Sequence, residues 1–98
     1  MIVRIVKMTF EPEKIEEFWT LFEQVKHKIA SFEGVLHLEA LQDKNNPHII
    51  FTYSHWEDEK YLEKYRHSEL FAHTWKDTKA LFKEKAEAWT TGLRFASK

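Results

Sequence analysis

Four aromatic side chains, Trp56, Tyr65, Phe71 and Trp75, are the residues of this sequence best suited to chemistry on a small molecule. Gathered around one space, they form walls for a flat, electron-rich ring. Thr52 lies four residues before Trp56 and adds a hydroxyl from the strand below. Lys26 falls on the helical wheel between Trp19, Phe22 and Ile29, where a core-facing helix carries an apolar residue. A cation held there and partly stripped of water can stabilise an enolate or a reduced oxygen species. Each group also has a plainer reading. Aromatics at helical spacing pack a core, and a lysine stem can lie along an apolar stripe while its ammonium reaches water.

Other polar groups point less clearly to a site. Arg4 poses the same choice as Lys26, with pairing to Glu39 as the alternative. His37 and Glu39 share one side of a strand, an arrangement that makes a base or a solvated, interface-facing pair. His67 stands where it can cap a helix end or border a pocket. Glu23 and His27 form an isolated i,i+4 pair, and no HExxH, glycine-rich phosphate loop or nucleophile elbow is present. The chain has no cysteine, which removes thiolate nucleophiles and Cys-based zinc sites. No cofactor or metal is expected.

The elements that must hold these groups follow from periodicity and punctuation. Ile2 to Phe10 is β-branched and short enough for a strand. Glu11-Pro12-Glu13 opens a helix whose apolar residues recur at spacings of three and four, ending near Phe32. Gly34 turns the chain into a second strand, Val35 to Gln42. Asp43 to Pro47 then makes a hairpin loop leading to a third, His48 to Trp56. A helix opens at Glu57-Asp58-Glu59, breaks near His67, and resumes from Glu69 to about Ala88 with Phe71, Trp75, Thr78 and Phe82 as its central line. The charged run from Lys76 to Trp89 reads as the solvated face of that helix. Trp89 to Phe95 is the last strand.

This order predicts one α+β domain over residues 1–98, a ferredoxin-like βαββαβ unit with two helical regions on one face of a four-stranded antiparallel sheet. In the third strand Ile50 and Trp56 point one way while Ile49, Phe51 and Tyr53 point the other, so both faces are apolar. The uncovered face calls for a second copy, and a homodimer closed sheet to sheet is expected. The 15 Lys+Arg nearly balance the 16 Asp+Glu, a field too weak to argue for nucleic acid or a membrane surface. No apolar run is long enough to span a bilayer, and the opening residues lack the pattern of a secretory leader, so a cytoplasmic protein is expected.

The element order, the Glu11-Pro12 helix start, the Gly34 turn into Val35-Leu36-His37-Leu38-Glu39, Trp56 at the end of the third strand and Ser68-Glu69-Leu70-Phe71 together resemble the antibiotic-biosynthesis-monooxygenase domain family. The resemblance implies a dimeric α+β barrel with a pocket between sheet and helices in each subunit. It also implies three activities to weigh: cofactor-free oxygenation of a small aromatic or quinone-like substrate, non-catalytic binding by the same pocket, and haem degradation. On the first, Lys26, Thr52 and Trp56 would be catalytic and Tyr65, Phe71 and Trp75 would hold the substrate. Haem-degrading members carry Asn, Trp and His at positions that read Val6, Tyr65 and Trp75 here. The oxygenase pattern places Asn four residues before the strand-ending Trp, where this chain has Thr52.

Overall fold

Strand β1, Ile2–Phe10, is one of the two interior strands of the computed structural model, which describes residues 1–97. It runs antiparallel to β3 (Ile49–Trp56) on one side and to β4 (Phe82–Gly92) on the other. Strand β2 (Val35–Gln42) pairs with the outer edge of β3, giving the order β2-β3-β1-β4. Helix α1 spans Ile15–Ala30, α2 spans Glu59–Arg66 and α3 spans Glu69–Lys79. The fold is α+β and ferredoxin-like. No helix among the described residues is long and apolar enough to cross a membrane.

Cross-strand partners share a face, so the pairs Arg4–Ser54, Val6–Thr52 and Met8–Ile50 place six residues under the helices. At one end this layer is solid. Phe10 and Phe18 stack with ring centroids 4.5 Å apart, and Met8, Ile50 and Leu81 close around them. Pro12 begins a short 3₁₀ turn, Pro12–Lys14, that leads into α1, and Phe18, Trp19 and Phe22 bring its apolar stripe onto this core. Gly34 ends the connection to β2 with φ +88°, a left-handed conformation. A side chain there would also collide with Tyr61, and the Gly34 carbonyl accepts from Glu57 N–H at 2.8 Å. Gly34 thus clamps the start of α2 against the sheet.

The break at His67 has a clear local cause. His67 occupies the C-cap of α2, and the Ser68 hydroxyl oxygen accepts from Phe71 N–H at 3.1 Å to start α3. Asp58 caps α2 in the same way, accepting from Lys60 N–H.

The second half of the helix expected from Glu69 to about Ala88 is corrected. Helix α3 stops at Lys79, and residues 82–92 form β4, so Phe82 belongs to a strand and the final strand begins seven residues before Trp89. Lys, Glu and Ala favour a helix by propensity, but hydrogen bonding to β1 along the sheet edge overrides it. From the strand Phe82 meets Trp75 edge to face at 5.5 Å.

The opposite sheet face carries Ile5, Phe51, Tyr53 and Trp89 without a covering layer in the single chain. Leu41 and Trp89 on this face are 47% and 46% exposed.

Candidate functional site

Beyond the solid core the two layers part and enclose a cavity of about 320 Å³. Its floor is Arg4, Val6 and Met8 from β1, Thr52, Ser54 and Trp56 from β3, and Ala86 and Ala88 from β4. Phe22 and Ile29 of α1, Leu62 and Tyr65 of α2, and Phe71, Thr74 and Trp75 of α3 complete the enclosure. The two alanines matter to its size, because larger inward residues on β4 would fill it. The volume falls at the lower end of the range of small-molecule sites, about 300–1,000 Å³.

The four aromatic residues singled out from sequence form a continuous arc. Ring centroids lie 5.5 Å apart for Trp56–Tyr65, 5.2 Å for Tyr65–Phe71 and 5.7 Å for the stacked pair Phe71–Trp75. Phe32 joins the arc at Tyr65, 5.3 Å away. Trp56 is 2% exposed, and its indole N–H donates to the Ser54 hydroxyl at 3.0 Å. Tyr65 is held by burial at a pKa pushed up to about 12. It therefore stays protonated at neutral pH and serves as a hydrogen-bond donor, not a base. Thr52 reaches the floor as expected from its spacing to Trp56.

Lys26 is corrected. It is absent from the cavity lining, and its ammonium pairs with Glu23 at 2.6 Å one turn back on α1. The long side chain reaches a carboxylate near solvent, which is the snorkelling outcome. Arg4 does not meet Glu39 either, because alternate residues put them on opposite faces. Instead the Arg4 guanidinium donates to Thr90 Oγ1 at 2.7 Å and lines the cavity, whereas Glu39 pairs with His37 at 2.8 Å on the open face. Arg66 also lines the cavity while donating to Glu63 at 3.0 Å. Burial, and then Arg66, lower the pKa of Arg4.

Sequence reading passed over Arg66, Ser54 and the β4 alanines. Ser54 carried a signal, since it sits between Thr52 and Trp56 at the two-residue strand period. Among the described residues no lining side chain is a carboxylate or imidazole, and no group of three His, Cys, Asp or Glu residues is placed to hold a metal ion.

The family model for antibiotic biosynthesis monooxygenase matches residues 1–77, from β1 through most of α3. The chain belongs to the antibiotic biosynthesis monooxygenase family. A solved antibiotic biosynthesis monooxygenase superposes with a TM-score of 0.90 at 17% identity, covering 96% of this chain and 99% of that one. A conserved protein from Methanosarcina mazei Go1 gives 0.85 at 24% identity, covering 92% and 90%. A protein from Pseudomonas aeruginosa gives 0.83 at 20% identity, covering 97% and 94%. These likenesses establish the fold. No curated protein sequence matches the chain.

Within the monooxygenase family frame, Val6, Tyr65 and Trp75, the positions compared with the haem-degrading branch, all face the cavity. None of the three has the residue type of that branch, Asn, Trp and His in the same order. His67 and His73 lie outside the lining, and His73 is exposed on α3.

Proposed function

We propose that this cavity binds a small aromatic or quinone-like compound and supports its oxygenation by dioxygen without metal or flavin. The observation that carries the reading is the aromatic arc from Trp56 to Trp75 closing over a floor that holds Thr52, Ser54 and Arg4. An electron-rich ring loses a proton from an activated carbon, and the carbanion is the reductant. One atom of dioxygen becomes the carbonyl oxygen on that carbon and the other leaves as water. The apolar walls keep water from reprotonating the carbanion, while the Tyr65 hydroxyl and the Arg4 guanidinium stabilise negative charge developing on oxygen.

The protein is further proposed to act as a homodimer through its open sheet faces. The exposed Leu41 and Trp89 and the apolar Ile5 and Phe51 beside them support this. A second reading, binding without turnover, is favoured by one observation: none of the described lining side chains is a conventional base.

Oxygen uptake with a panel of quinols and anthrones separates the two. Saturable uptake in the native chain, lost when Ala86→Phe fills the cavity, is expected. Specific thermal stabilisation by the same compounds without uptake establishes the binding reading, and the absence of both responses refutes the site.

A further inference from the structure

We propose that the ligand of this cavity carries an anionic oxygen on its ring system, as a carboxylate or an ionised acidic enol, and that Arg4 is the group that binds it. This rests on reading the cavity as the ligand site.

Arg4 stands on an interior strand of the sheet, on the face covered by helices, where its neighbours along β1 are Val6 and Met8. An apolar residue would be the ordinary occupant of such a position. Its one hydrogen-bond partner among the described residues is the neutral Thr90 hydroxyl, and it makes no ion pair with any of them. The remaining N–H donors of the planar fork are free for a ligand oxygen, and this geometry suits two-point binding of a carboxylate.

The surrounding charges reinforce the argument. Arg66 lines the same cavity and is matched by Glu63, so two guanidiniums share one carboxylate. Both the partial burial of Arg4 and the repulsion from Arg66 oppose its charge, and an incoming anion relieves both. Lys26 lacks this property, since Glu23 already neutralises it. The absence of carboxylates among the described lining residues fits the same ligand: an anionic aromatic meets no repulsion, and an enol that arrives already ionised needs no protein base to remove the enol proton.

The test uses matched probe pairs followed by quenching of tryptophan fluorescence, because Trp56 and Trp75 line the cavity. Naphthoate against naphthamide examines the carboxylate, and hydroxynaphthoquinone against naphthoquinone examines the acidic enol. The anionic member of at least one pair is expected to bind about tenfold more tightly, equivalent to about 1.4 kcal/mol. Which pair shows the preference identifies the anion. In Arg4→Met the preference disappears while the neutral probes keep their affinity. Arg4→Gln, a polar neutral substitute, gives the same result if the methionine variant does not fold.

Equal affinities within both pairs in the native chain overturn the anion proposal and leave the cavity reading intact. Failure of all four probes to bind removes both. A preference that survives Arg4→Gln but is lost in Arg66→Met overturns the assignment to Arg4.

Discussion

Replacing Gly34 by alanine tests whether the clamp between β2 and α2 works as described. The residue sits at φ +88°, where an L side chain costs about 1–2 kcal/mol. A Cβ at this position also collides with the Cβ and ring of Tyr61, in the first turn of α2. Crowding of this kind costs about 1–3 kcal/mol, offset by about 0.4–1 kcal/mol from the stiffer unfolded chain. A net loss of about 3 kcal/mol is expected, a large part of a typical domain's about 5–15 kcal/mol. With a urea slope of about 1–3 kcal/mol/M, the unfolding midpoint should fall by about 1–3 M. Gly34→Asn separates the two causes. Asparagine tolerates the left-handed backbone but carries the same Cβ, so it should recover part of the backbone cost and keep the loss from the collision. If asparagine restores most of the lost stability, the collision with Tyr61 is not the constraint and the clamp argument fails.

Ser54→Ala strands the buried Trp56 indole N–H and should destabilise the protein by about 1–3 kcal/mol in urea denaturation; an unchanged midpoint would show that the bond contributes nothing. The folded protein holds the Tyr65 proton more tightly than the unfolded chain does. Its contribution is therefore full below about pH 10 and is lost as pH climbs through the folded value of about 12. Alkaline unfolding should be less steep in Tyr65→Phe, and identical curves would contradict the burial of that hydroxyl. Phe51→Lys puts a charge on the open sheet face opposite Lys7. Sedimentation should then report single chains where the native protein forms pairs, and a native protein that sediments as single chains defeats the dimer outright.

Much of this arrangement was legible because the relevant residues obey short periods. Ile2 to Phe10 and Val35 to Gln42 alternate under strand-forming composition and end at recognisable turns. Their bounds are those read from sequence. The break at His67 was visible because Ser68-Glu69 is a helix start in the middle of helical spacing. Phe82 to Ala88 misled because its lysines, glutamates and alanines suit an exposed helix, while the partner that makes it a strand, β1, lies more than seventy residues away in the chain. That error hid Ala86 and Ala88, the small inward residues of β4 that leave room for the cavity. Lys26 and Arg4 show the limit of wheel and strand patterns. Both interrupt apolar faces, and only the three-dimensional position of Glu23 near one and of Thr90 and Arg66 near the other separates a surface pair from a cavity cation.

The interruption between α2 and α3 leaves the ceiling in two plates, hinged at His67-Ser68, in place of one straight rod. A rod laid along a twisted sheet can follow it only locally. Two shorter plates can each take their own tilt and vault over the middle. Leu62 and Tyr65 hang from one plate and Phe71, Thr74 and Trp75 from the other. The outline of an acceptable guest is therefore adjustable one plate at a time, by exchanging a side chain on either slope, while the strand carrying Arg4 stays where it is.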